Sequence, residues 1–383
     1  MVSIIQNARI VTDGKILDNH CIVVKDGVID TILPDHECVI PDDAATVDLG
    51  GKYLSPAWID LHCHGAGGKE FINGDPKEVI EICKIHADRG TLVLYPTISA
   101  TDFHTMWRAL EAIEQALPEC PLEIPGVHLE GPYLSKAMCG AQDTSYITKP
   151  VKEEYNALLD RFPKLIARWS YAPEEDDNNE FLNELLRRGV VPAMAHTNAD
   201  YPDVVRAFEG GNHLVTHLYS CTSTITRHGG FRHLGVTECA YLWDDMYVEA
   251  IGDGCHLPPE LVRLIVKQKG CQRVCLITDA ISFACMDTDA GLVGGTANIP
   301  YLLEDGVAKL MDRSAFAGSI ASTNVLLKRT VAAGIPLPDT IRMMTETPAC
   351  AMGLEGYGRI APGCKALFAA FDGDLDFKGA IQA

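Results

Sequence analysis

The sequence predicts an α/β fold in which a TIM-like (β/α)8 barrel interrupts a small β domain built from both chain ends. Three observations predict it. The length of 383 residues suits a barrel of roughly 250 residues with a smaller appendage. Eight short apolar runs alternate with stretches of helical apolar spacing, the texture of βα units around a parallel sheet. The two ends of the chain instead read as short β pieces.

In chain order, residues 1–55 give SIIQNARIVT, CIVVKDGVIDTILP and ATVDLGGKYLSP, with turn signals at Asp26-Gly27 and Gly50-Gly51. The barrel is expected over 56–354. Its strand-like runs are AWIDLHCHG, GTLVLYPTIS, IPGVHLEG, LIARWSYAP, VVPAMAHT, HLVTHLYS, MYVEAIGDG and RVCLITDA. Helical stretches such as DPKEVIEICKIHADRG and DFHTMWRALEAIEQAL lie between most of them and are expected to continue to about Leu354. Residues 355–383 return to β-like pieces able to rejoin the N-terminal unit.

Composition narrows the function. With 32 basic against 52 acidic residues the net charge is -20, which leaves no basic stripe for a nucleic acid or an acidic membrane. No basic and apolar leader precedes the first strand, and no apolar run reaches the roughly 18 residues of a membrane span. A cytoplasmic protein is expected. The fourteen cysteines are scattered, and a chain this long needs no disulfide staples. They read mainly as buried, reduced thiols, with Cys271 and Cys275 flanking and lining a strand.

In barrels of this type the working residues sit where strands end and βα loops begin. Run one ends in His62 and His64, whose period-two spacing sends both to one face and Cys63 to the other. Run three ends in Glu130, run five in His196, run six in His217 and run eight in Asp279. Each alone has a structural explanation. Together, four imidazoles and two carboxylates at one mouth point to a divalent transition metal, with zinc, iron, manganese or cobalt suited to nitrogen and oxygen ligands. A metal with an open position acidifies a bound water and polarises a carbonyl, the two effects that amide hydrolysis needs. A carboxylate beside it can take and return the proton, and Asp279 is the candidate.

These positions resemble the amidohydrolase superfamily. GVHLEGPYLS, AHTNA, THLYS, DGCHLPPE, LITDA and FAGSIAST are similar to the N-acetylglucosamine-6-phosphate deacetylase family, over nearly the whole chain. The resemblance implies an amidohydrolase-type barrel beside a small β-sandwich, and hydrolysis of the N-acetyl group of N-acetylglucosamine 6-phosphate. It implies that Glu130, His196 and His217 bind the principal ion, zinc first among the metals, and that His62 and His64 hold a second. Asp279 would be the general acid and base, His256 would contact the sugar or help polarise the carbonyl, and Gln142 would bind substrate. A homodimer is also implied.

Two segments depart from the family pattern. After run six the family reads His-Leu-Tyr-Asn-Ala-Met, whereas this chain has HLYSCTS, placing Ser220 and Cys221 where the sugar phosphate is held. Where the family carries Arg-Glu-Pro-Gly, this chain has TRHGGFRHLG, in which Arg227 and Arg232 are the candidate phosphate ligands. These changes keep open an amidohydrolase of the same branch acting on an unphosphorylated or different N-acyl compound. A barrel without chemistry, serving as a binding module, would show decay among the six ligand positions; all six are intact. No lysine ends run four, as it does in dihydroorotase-like and hydantoinase-like enzymes, so Glu130 would take the bridging place. HTNADYPD after run five lacks the glutamate of adenosine deaminase-like members.

Overall fold

The structure, a computed structural model, describes residues 2–286, 293–296 (backbone only) and 299–383. All eight runs become parallel strands in the expected order: Trp58–Cys63, Thr91–Ile98, Val127–Glu130, Ile166–Tyr171, Val191–Met194, Leu214–Val215, Tyr247–Ile251 and Val274–Ile277. Strands eight and one meet at the top of the barrel, where Asp279 N–H donates to the His62 carbonyl at 2.9 Å and His64 N–H to the Ala280 carbonyl at 2.7 Å.

The helices between strands follow from caps and apolar stripes. Pro76–Ala87 starts after Asp75, whose carboxylate accepts the Lys77 N–H, and buries Val79, Ile82, Cys83 and His86 along one face. Phe103–Ala116 is capped the same way by Asp102, which accepts from His104 and Thr105 N–H. These faces pack on the outward side chains of the strands. Cys63 points there, as its spacing predicts, with Sγ 3.1 Å from His86 Nε2.

Strands from both chain ends form one seven-stranded sheet. Val2–Thr12 pairs with Lys15–Lys25 along its length, but with Ala45–Asp48 through its first half and Tyr53–Pro56 through its second. Leu367–Phe371 then adds to Tyr53–Pro56, and Phe377–Gln382 closes the edge. The sheet folds over a core of Ile5, Ile22, Leu54, Phe368 and Ala370.

Two expectations need correction. Helical spacing does not continue unbroken to Leu354: after strand eight come the antiparallel strands Val293–Thr296, Ile299–Glu304, Val307–Leu310 and Phe316–Gly318, and helices resume only at Thr323–Ala332. Asp305-Gly306 turns the middle hairpin with both residues in the left-handed region, the conformation such a pair favours. The cysteines are all free, but only Cys21, Cys63, Cys83, Cys239 and Cys275 are buried; eight are half-buried and Cys350 is exposed. Cys275 does lie within strand eight, with Cys271 just before it. Among the described residues no helix is long and apolar enough to cross a membrane.

Candidate metal centre and active site

The strand ends deliver six side chains to one point. His62 comes from within strand one, His64 from just beyond it, and Glu130 is the last residue of strand three. His196, His217 and Asp279 each stand two residues past strands five, six and eight. These last three adopt left-handed backbone, with φ of 43°, 31° and 49°. Such a conformation costs about 1–3 kcal/mol per residue and persists only where the surroundings impose it. Here the flanking backbone does so: Ser135 N–H donates to His196 O, and Ser319 N–H to Asp279 O, both at 2.9 Å.

Two groups of three donors result, His62 with His64 and Asp279, and Glu130 with His196 and His217. Glu130 lies between them. Its Oε1 is 2.8 Å from His217 Nε2 and 3.2 Å from His196 Nε2, while Oε2 is 3.3 Å from His64 Nε2. Asp279 Oδ1 is 3.4 Å from the Nε2 atoms of both His62 and His64. The carboxylate anticipated as a bridge therefore faces both groups.

The imidazoles are aimed from behind. His196 Nδ1 is 3.0 Å from the Met138 carbonyl, and His62 Nδ1 is 3.4 Å from Glu249 Oε2. Neither partner can donate, so both Nδ1 atoms carry protons and both Nε2 atoms offer lone pairs inward. His64 Nδ1 meets Ser99 Oγ at 3.0 Å. The Nε2 atoms of His62 and His64 then face each other at 3.1 Å. Imidazole nitrogens converging beside two carboxylates form a donor set that fits a divalent cation.

Without a cation, protons supply that charge. Burial opposes protonation of His62, but Glu130 and Asp279 overcome it and raise its pKa to about 10. Burial likewise works against His64, and hydrogen bonds to Asp279 and Glu130 raise it to about 9. Burial disfavours ionisation of both carboxylates, yet the His62 charge and the surrounding imidazoles hold Glu130 well below the usual range and Asp279 at about 2.

Five of the six, His64, Glu130, His196, His217 and Asp279, floor a cavity of about 290 Å³, and His62 lies buried beneath it. Gln142, Ser220, Cys221 and His256 line it, as does Tyr219. Gln142 has both ends of its amide engaged: Nε2 donates to Glu130 Oε2 at 2.8 Å and Oε1 accepts Ala100 N–H at 2.9 Å. It braces Glu130 as well as facing the cavity. His256 is held by Asp253, whose Oδ2 is 2.7 Å from Nδ1, and packs edge-on against Phe316. Arg227 and Arg232 are not brought to this cavity. They sit opposite each other on the exposed hairpin of Thr226–His228 and Phe231–His233.

Several residues at or behind the site were missed in the sequence. Asp253 lies inside the quoted DGCH, where a carboxylate three residues before a histidine was the available signal. Arg168 and Glu249 were visible as charges within apolar barrel runs. Tyr301 and Phe316 reach the cavity wall from the antiparallel strands after strand eight, whose pattern was read as helical.

A barrel that gathers six such donors at the C-terminal ends of its strands has the architecture of a metal-assisted hydrolase. The chain belongs to the amidohydrolase family, whose model matches residues 53–383, and the model of the NagA composite domain matches residues 4–54. It is 27% identical to the N-acetylglucosamine-6-phosphate deacetylase of Haemophilus influenzae, across 98% of this chain and 96% of that one. It is 26% identical to the N-acetylgalactosamine-6-phosphate deacetylase of Shewanella sp., across 97% and 92%. The crystal structure of the N-acetylglucosamine-6-phosphate deacetylase from Pasteurella multocida superposes with a TM-score of 0.91 at 28% identity, covering 100% of this chain and 98% of that one.

Proposed function

We propose that the chain hydrolyses the N-acetyl group of an amino sugar 6-phosphate, N-acetylglucosamine 6-phosphate foremost, to the free amine and acetate. The observation that carries this is the pair of donor groups joined by Glu130 on the floor of the cavity, in a chain whose relatives at similar identity are deacetylases of such sugars. Glu130, His196 and His217 would hold the principal divalent ion, zinc first, with His62, His64 and Asp279 around a second. When bound, the principal ion would supply an acidified water and polarise the acetyl carbonyl.

The chain's own residues do the rest. Asp279, whose Oδ1 stands 3.4 Å from the Nε2 atoms of His62 and His64, takes the proton of the attacking water and returns it to the departing nitrogen. His256, oriented by Asp253, contacts the sugar beside the acetyl group. Gln142 keeps Glu130 aimed between the two groups, and Ser220 and Cys221 border the sugar. Among the described residues that line the cavity there is no lysine or arginine. The phosphate is therefore met by Arg227 and Arg232 of a second copy in a homodimer, and the protein works in the cytoplasm.

Acetate release from four substrates tests this: the 6-phosphates of N-acetylglucosamine and N-acetylgalactosamine, and each sugar without phosphate. The expected result is turnover strongly favouring a phosphorylated substrate. Equal or better use of the unphosphorylated sugars would shift the reading to the other N-acyl compounds that HLYSCTS left open.

A further inference from the structure

Below the mouth, inside the barrel, Arg168 of strand four and Glu249 of strand seven form an ion pair with both side chains fully buried. Neither lines the cavity. Buried charge is costly, and branched apolar side chains fill this layer in ordinary barrels. The contacts of the pair say what the charge does here.

Glu249 Oε1 takes the Arg168 guanidinium, which also donates to Thr216 Oγ1 at 2.7 Å and to the Leu61 carbonyl at 3.3 Å. Glu249 Oε2 is left to face His62 Nδ1 at 3.4 Å, and it accepts the His217 N–H at 3.2 Å. One carboxylate thus touches a residue of each donor group. Among the described residues the outer nitrogens of the other imidazoles have weaker company: a hydroxyl for His64, a carbonyl for His196, and no partner for His217 Nδ1. Among the four, His62 alone is backed by a charged side chain.

We propose that Glu249, anchored by Arg168, is a positioning residue that fixes the His62 tautomer and so governs metal binding by His62, His64 and Asp279. This rests on the metal reading of the mouth. The replacement Glu249→Gln exposes the logic. Arg168 demands an acceptor, so the new amide turns its oxygen to the guanidinium and its NH2 to His62. That NH2 donates into Nδ1, moves the imidazole proton to Nε2 and removes the lone pair that faces the site.

The experiment is equilibrium zinc competition against a chromophoric chelator for wild-type protein and Glu249→Gln, with apo-protein unfolding followed alongside. The expected result is a loss of about tenfold to a hundredfold in affinity for the ion held with His62, and a smaller loss at Glu130, His196 and His217, where the variant takes away only the acceptor of the His217 backbone N–H. Unchanged zinc binding by a folded variant overturns the proposal and leaves the metal reading standing. Failure of the wild-type protein to bind zinc removes both. Should the variant not fold, imidazole ¹⁵N NMR of zinc-loaded wild-type protein, with His62 assigned through His62→Gln, decides the matter. A proton on Nδ1 with metal on Nε2 is expected, and the reverse arrangement overturns the proposal.

Discussion

The barrel mouth and the hairpin of residues 226–233 both carry histidines and charges, but they are built in opposite ways. At the mouth, His62, His64, Glu130, His196 and His217 are buried, and among the described residues all but His217 have a further side-chain or carbonyl partner that holds them. On the hairpin, Arg227 and Arg232 stand directly across from each other in solvent, and Phe231 is 77% exposed. Arg232 donates to the Gly230 carbonyl of its own turn. Like charges paired across two strands repel. The contrast teaches what the proposed division of labour requires: the mouth gathers its donors from one chain, whereas Arg227 and Arg232 do not line that chain's cavity.

The sharpest way to break this division is at the mouth. Glu130→Ala takes away the carboxylate shared by both donor groups, so metal analysis should find the principal ion lost and acetate release at background. Metal content equal to wild type would sink the ligand assignment. Asp279→Asn removes the proton carrier but leaves Glu130, His196 and His217 in place. Turnover should fall at least about a hundredfold with the ion at those three residues retained; near-normal turnover would remove Asp279 from the role.

The hairpin should behave differently. Replacing Arg227 and Arg232 together with glutamine should raise KM for the phosphorylated sugar by roughly tenfold to a hundredfold, the worth of a charged hydrogen bond. Metal content and turnover at saturation should stay near wild type. A fall in turnover without a change in KM would contradict the division. Mixing this variant with Glu130→Ala sharpens the point, because a mixed dimer regains one complete site only if the hairpin serves the neighbouring chain.

The smallest effect concerns pH. In metal-free protein the pKa of His62 is raised to about 10 and that of His64 to about 9. A raised histidine contributes stability that is fully present below the unfolded value near 6.5 and is lost as pH rises through the folded one. Thermal unfolding of chelator-treated protein should therefore drop between pH 7 and 10, and more steeply than in a His62→Gln, His64→Gln double variant. Parallel slopes would argue against protonated imidazoles at the empty mouth.

Much of this was legible in the chain. Strand ends are short apolar runs followed by a polar residue, so His62, Glu130, His196, His217 and Asp279 could each be located from local pattern alone. The antiparallel strands from 293 to 318 were not found, although LLEDGVAKL carries a turn signal, because apolar residues there also satisfy helical spacing. The left-handed backbone at His196, His217 and Asp279 has no local signature, since none is glycine and tertiary hydrogen bonds impose it. Pairings across the barrel are equally silent in the sequence. Arg168 and Glu249 lie 81 residues apart, and nothing near either one announces the other.

The most direct test is metal titration of chelator-stripped protein with N-acetylglucosamine 6-phosphate as substrate, following bound metal and acetate release together. No turnover without metal is expected, with activity returning in proportion to the ion bound at Glu130, His196 and His217. Full turnover by the stripped protein would contradict the account at its centre.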